Sequence, residues 1–429
     1  MSKTKKIIKF ISGNKINKVS INLYNYELVN IFLKIVKDVL IMNIKNDYTV
    51  NEIKKLHSNK HTILYNFFKE YDKSLQNFND FIKFYVYEQH NLDFKKIKND
   101  IINSENIPLL QLFNSIYEND ERKEICELFY KNNFVSIDIL VDLEINDLKH
   151  IIIDNHDFYL SVYYYGNNID INKYLANMIK IIYIIKKINL RFNYDDSKFN
   201  VIVFLGNSKK KFVGKIITPT TLNSGSSIST VYANLWRKEE YEKVLIHELL
   251  HFIKADFHSS SAIELEDEIR KYISYDGINN LNESYNETLA SLINMCYKSI
   301  KYNINLNKIY DYELNFLYLQ SAKIISFFNG NSMTDLFNKT INIKQNTSAI
   351  SYIIFKMILF HNMPKTIEFI KLINFKCNEQ TKIDKFGKLL IEMLVNYTSC
   401  LNNVDNYINK NKALSRQDHI RKNMKMSLI

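Results

Sequence analysis

Turn residues are scarce in this 429-residue chain, which has only 8 glycines and 3 prolines. An all-β sandwich or propeller needs a turn residue every ~8–12 positions, so those architectures are excluded. Cysteine is nearly as rare. Cys126, Cys296, Cys377 and Cys400 stand far apart with no Cys-x-x-Cys pair, which excludes a disulfide framework and points to reduced, individually packed thiols. Long apolar runs are missing too. The most apolar, Met178–Ile188, carries Lys180, Lys186 and Lys187 and is far short of the ~20 residues of a membrane span. The basic N-terminus meets polar residues at Ser12–Lys15 before any secretory-length stretch, so no signal peptide is expected. The expectation is a soluble protein of a reducing, cytoplasm-like compartment.

What is abundant is Tyr (29), Phe (27) and a hydrophobic fraction of 46%, near the globular average, which excludes a disordered tail protein. This length can bury a sizeable core in one large domain or two to three smaller ones. Wealth in Asn, Ile, Lys, Tyr and Phe also reflects A/T-rich codons, as in large DNA viruses, some clostridia or some protozoa; for a virus the compartment would be host cytoplasm or virion. The net charge is +11, and residues 1–60 hold twelve lysines against four acids. Such an excess can bind nucleic acid or an anionic surface. No nucleic-acid motif accompanies it, and the basic residues show no fixed spacing with aromatics, so a solvated lysine-rich face is the simpler expectation.

Hydrophobic periodicity makes residues 20–150 a succession of helices. Leu28, Ile31, Phe32, Ile35, Val36, Val39 and Leu40 recur at helical spacing, as do Ile63, Leu64, Phe67, Phe68 and Tyr71; Asn103–Pro108 breaks the pattern. After Asp154 the texture changes. Phe158–Tyr165 reads as a strand, Asn172 to about Ile188 as a helix, and Asn200–Leu205 as a buried strand. Lys215–Pro219 and Ser227–Tyr232 read as further strands, followed by a helix from about Arg237 to Lys254. Three glycines (Gly206, Gly214, Gly225) and Pro219 fall within these twenty residues. From about Ile263 onward the pattern is helical again, with breaks near Asp276-Gly277, Gly330 and Pro364. The fold class expected is α+β, predominantly helical: a helical N-terminal region over 1–150, a core over 151–300 with a small mixed sheet, and a helical C-terminal region over 301–429.

The helix after the sheet contains His247-Glu248-Leu249-Leu250-His251, an HExxH sequence. Residues four apart share a helical face, so both imidazoles can reach one Zn²⁺ at ~2.0–2.1 Å. Glu248 borders that face and can take a proton from a zinc-bound water, whose pKa the metal lowers toward ~7. Val244, Leu245, Ile246, Leu249, Leu250, Phe252 and Ile253 make the helix apolar nearly all round, where two histidines and a glutamate would be costly to bury without a purpose. A third ligand is needed. His258 sits one residue later than a His-x-x-x-His-x-x-Gly-x-x-His pattern places its third histidine, and Lys254 stands where that pattern has the glycine of its sharp turn. Glu264-Leu-Glu266-Asp267-Glu268 reads as a solvated face. Glu283 and Glu287, four apart on one later helix, are the alternatives.

His247–His251 followed by Asn286-Glu287-x-x-Ala290 resembles the gluzincin branch of the zincin metallopeptidases. That resemblance implies His247, His251 and Glu287 as zinc ligands, with Glu283 the other candidate, and Glu248 as general base. It also implies a small mixed sheet before the active-site helix, whose edge strand, here Asn223–Tyr232, binds extended peptide. The 36-residue spacing from His251 to Glu287 is closer to clostridial neurotoxin light chains than to thermolysin-like enzymes. Position 291 is Ser where the thermolysin pattern has an acid that orients the first imidazole. The Arg237–His247 stretch is similar to HExxH proteins of large DNA viruses. For the oxyanion donor such a site needs, Tyr285, Tyr310, Tyr312 and His361 are open candidates. The function this implies is a zinc metallopeptidase acting on protein or peptide substrates. The alternatives are a non-catalytic structural or virion protein of the same fold, and a nucleic-acid or anionic-surface binder using the N-terminus.

Overall fold

The computed structural model describes residues 3–12, 21–42, 50, 52–56, 123–192, 197–210, 212, 215–257, 262–277, 279–374, 379–396, 398–413 and 424–428. Its strands are β1 (Glu52–Leu56), β2 (Leu148–Asp154), β3 (Phe158–Tyr164), β4 (Phe199–Phe204), β5 (Gly225–Ile228), β6 (Tyr232–Leu235), β7 (Tyr275–Asp276) and β8 (Ile343–Lys344). Six of them form a mixed sheet in the order β1–β2–β3–β4–β6–β5, and β7 pairs with β8 alone. The main helices around this sheet are α1 (Glu27–Ile41), α2 (Ile171–Phe192), α3 (Tyr241–Phe252), α4 (Asn282–Tyr302), α5 (Leu306–Phe327) and α6 (Lys356–His361). The fold is α+β and predominantly helical.

The centre of the sheet is parallel, β3 with β4 and β4 with β6. Parallel strands are covered on both faces and read as continuous apolar runs, as Val201-Ile-Val-Phe204 does here with all four side chains buried. Helix α2 makes the crossover between β3 and β4, burying Leu175, Met178, Ile182 and Ile185. One continuous core then runs from Ile7 to Leu428 and takes residues from the sheet and from helices on both sides of it in sequence, though none from 123–147. Helix α1 contributes Leu28, Val29, Phe32, Val36 and Val39. Among the described residues no helix is long and apolar enough to cross a membrane.

Four sequence expectations are corrected. The helical reading of 1–150 fails at Glu52–Leu56, which is strand β1, and at Leu148–Asp154, which is strand β2 paired on both sides; the isoleucine run of β2 packs on a sheet face as well as on a helix. Lys215–Pro219 is not a strand. Only Ile217 bridges, to Gln345, and Pro219 opens a short helical turn. Ser227–Tyr232 is two strands, because Thr230 adopts φ 60° and folds the chain into the β5–β6 hairpin. The helix expected from Arg237 begins at Tyr241, since Glu240 sits at φ 61° in the left-handed region. The helical pattern at Ile63–Tyr71, the break at Asn103–Pro108, Gly214 and His258 lie outside the described residues.

Candidate metal centre

Helix α3 is held between the β5–β6 hairpin and α4. The hairpin turn clamps its last turn: Thr230 N donates to Phe252 O at 3.1 Å, and Ser229 Oγ to His251 O at 3.1 Å. Helix α4 runs antiparallel to α3, as the pairing of His251 with Glu283, of His247 with Glu287 and of Glu242 with Lys298 requires. Each step of one turn along α3 therefore meets one turn back along α4.

This register decides which acid meets which histidine. Among the described residues, His247, His251 and Glu283 form the group that could hold a metal ion. His247 Nε2 lies 3.1 Å from His251 Nε2 and 3.2 Å from Glu283 Oε2, which is 3.3 Å from His251 Nε2. The second nitrogen of each ring faces a different carboxylate. His251 Nδ1 is 2.6 Å from Asp256 Oδ2, which also accepts from Asn282 Nδ2 at 3.2 Å. His247 Nδ1 is 3.1 Å from Glu287 Oε1, and Asn286 Nδ2 donates to His247 O at 3.0 Å.

The expectation that Glu287 joins the ligand group is thus not what the structure shows. One turn beyond Glu283, its carboxylate is carried past the two Nε2 atoms to the far side of His247, where Lys243 and Lys356 grip it. Burial alone would raise its pKa, but these two ammonium groups and His247 outweigh that and hold it well below the usual carboxylate range. Burial likewise opposes the charged forms of Glu283 and His251. The two imidazoles nonetheless keep Glu283 ionised at low pH, while Asp256 and Glu283 push His251 well above its ordinary value.

Glu248 sits beside this group and is buried. Its Oε2 accepts from Ser227 Oγ on β5 at 3.0 Å. A Cβ at Gly225 would lie 2.6 Å from its Oε1, so glycine is what lets the strand pass the carboxylate closely. Burial raises the Glu248 pKa against the pull of both histidines. His247, Glu248, His251 and Glu283 together line a cavity of about 640 Å³, bounded by the edge strand β5 through Ser226, Ser227 and Ile228.

Tyr352 lines the same cavity, with its ring centroid 6.4 Å from His247. It lies in a π-helical turn, Ile350–Phe355, that runs into α6. Burial, reinforced by Glu283, Glu248 and Glu287, holds its hydroxyl pKa well above normal and keeps it protonated. The tyrosines and histidine singled out from sequence are engaged elsewhere. Tyr285 packs among Phe257, Phe369 and Phe386. Tyr310 donates to Phe360 O, His361 Nδ1 meets Tyr318 Oη at 2.6 Å, and Tyr312 packs against the core. Glu264, Asp267 and Glu268 are exposed, as expected of a solvated face, but Glu266 is half-buried and accepts from Arg270 and Tyr275.

Sequence reasoning missed Asp256, Ser227, Lys243, Lys356 and Tyr352. No sequence signal marked them: Lys254, a non-glycine residue at φ 57°, ends the helix in a tight turn that returns Asp256 to the His251 ring. Of the basic N-terminal stretch, Lys15, Lys18, Lys45 and Lys60 lie outside the described residues, and none of its described residues lines the cavity. Cys296 and Cys400 are buried. In comparison with known proteins, no family model, no curated protein and no solved structure matches the chain.

Proposed function

We propose that the chain is a zinc-dependent peptide hydrolase in which His247, His251 and Glu283 hold the metal. The observation that carries this reading is the donor triangle with sides of 3.1–3.3 Å. Two ligands at ~2.0–2.1 Å from zinc and at tetrahedral angles stand about 3.4 Å apart. Carboxylates behind both imidazoles add support, since a histidine that ligates metal characteristically gives its other N–H to such a partner. Placed one turn earlier, the gluzincin resemblance loses the small residue at its last position, here Asn286, and gains an acid just after it. Asn282-Glu283 then supplies the ligand, and Glu287 takes the orienting place for the first histidine that Ser291 could not fill.

When bound, zinc supplies Lewis acidity toward water and toward a carbonyl oxygen. The chain's own groups do the rest. Glu248, raised in pKa by burial and steadied by Ser227, accepts a proton from the attacking water and can return it to the leaving amine. The protonated Tyr352 hydroxyl, facing the same cavity, donates to the oxygen on which negative charge develops. The edge strand β5 offers its outer side to an extended peptide, as in β-augmentation. Zinc content and peptide cleavage by the purified protein test the reading. One zinc per chain and cleavage abolished by Glu248→Gln are expected; absence of stoichiometric zinc at neutral pH would overturn it.

A further inference from the structure

Beside the cavity, reaching it through Glu287 and Met426, lies a layer of charged groups that, Glu287 apart, the proposed reaction does not use. Lys210, Glu240, Lys243, Glu287, Glu313 and Lys356 are all buried there. Isolated charges at such depth are expensive unless paired and hydrogen-bonded, and pairing among themselves satisfies only part of them. Lys210 Nζ binds Glu240 Oε2 at 3.0 Å, while Lys243 and Lys356 share Glu287. The rest comes from a short stretch of backbone, Met424–Leu428, threaded through the layer. Glu240 Oε1 accepts from Met426 N at 2.9 Å and from Ser427 N at 2.6 Å. Glu313 accepts from Ser427 Oγ at 2.8 Å and from Leu428 N at 3.1 and 3.2 Å. Met426 O in turn accepts from Lys356 Nζ at 3.0 Å, and Gln320 donates to Lys425 O.

These contacts connect the segment to the metal centre in three steps. Met426 O fixes Lys356, Lys356 Nζ reaches Glu287 Oε2 at 3.1 Å, and Glu287 Oε1 stands 3.1 Å from His247 Nδ1. Met426 also lines a small pocket with His247, Glu248, Glu287 and Tyr352. The other end of the segment's grip, Glu240, is the residue that precedes α3 and sets where that helix begins.

We infer that Met424–Leu428 is a positioning strap for the metal centre: seated in its slot it holds Lys356 on Glu287 and thereby sets the His247 imidazole, and withdrawn it leaves a site of lower metal affinity. The inference rests on the proposed metal reading. Coupling of this kind is reciprocal, so metal must hold the strap as firmly as the strap holds the metal.

Hydrogen exchange of the full-length protein, zinc-loaded and chelator-treated, reads that reciprocity without any truncation. Amides of 424–428 are expected to exchange about tenfold more slowly with zinc, a larger change than in strand β2, none of whose residues line the cavity. In Lys356→Met the zinc-dependent difference at 424–428 should vanish, and with cobalt as the probe metal the visible absorption bands should shift. A chain ending at residue 423 should bind zinc about 10- to 100-fold more weakly, with recovery on adding the missing peptide. Stoichiometric zinc binding with unchanged exchange at 424–428 would overturn the strap and leave the metal reading standing. Absence of zinc binding would remove both.

Discussion

Glu283 and Glu287 are the same residue type, one turn apart on one face of α4, and both contact His247. One meets the ring on its Nε2 edge, where His251 also converges and the cavity opens. The other meets it at Nδ1 and is sealed between two buried lysines. The difference lies in what else surrounds each carboxylate. Glu283 has imidazole nitrogens on one side and open space on the other, the surroundings a metal ligand needs. Glu287 is already neutralised by fixed ammonium groups, which suits a carboxylate that orients an imidazole and remains in place. A single helical turn thus separates a group able to bind from a group that holds the binder.

Substitutions can break that contrast. The largest effect falls on neither acid but on Glu248. Glu248→Gln is expected to lower peptide cleavage by about 10²- to 10⁴-fold with zinc stoichiometry unchanged; parallel loss of zinc would show that Glu248 is a ligand. Next, Glu283→Gln should weaken zinc binding by more than the ~10–100-fold that loss of an outer partner brings, with little loss of stability, since this acid borders open space. Glu287→Gln should show the reverse balance in chelator competition and thermal unfolding: about 10- to 100-fold in zinc affinity, and a stability loss of about 3–5 kcal/mol from the two lysines left uncompensated. Asp256→Asn, at the rim of the site, is expected at the lower end of that affinity range with a smaller stability loss.

The smallest effect concerns pH. In the metal-free protein Asp256 and Glu283 outweigh burial and push the His251 pKa well above its ordinary value, yet the metal requires a neutral ring. Zinc binding should therefore release a proton. Its affinity should rise by up to about tenfold per pH unit and level off once pH passes the raised His251 value. Calorimetry in two buffers of different ionisation enthalpy checks this, and identical heats in both would contradict it.

The sequence made some of this legible and hid the rest, for physical reasons. The HExxH helix, α1, α2, β3 and β4 were readable because their apolar spacing matches a single secondary-structure period. The pair of acids on α4 was readable too, but not which one meets both Nε2 atoms, because that depends on the antiparallel register of α3 and α4. Strand β2 escaped because Ile151-Ile152-Ile153 suits a helix or a strand equally well. Tyr352 and Lys356 lie about one hundred residues beyond the motif and reach it only through tertiary packing. The strap is farther still, and its contribution is made largely by backbone N–H groups, which every residue but proline carries alike.

X-ray diffraction recorded above and below the zinc absorption edge tests the central claim most directly. One anomalous peak per chain is predicted, bounded by His247 Nε2, His251 Nε2 and a Glu283 oxygen, with Glu287 still on Lys243 and Lys356. A peak ligated by Glu287, or no peak in zinc-supplemented crystals, would contradict it.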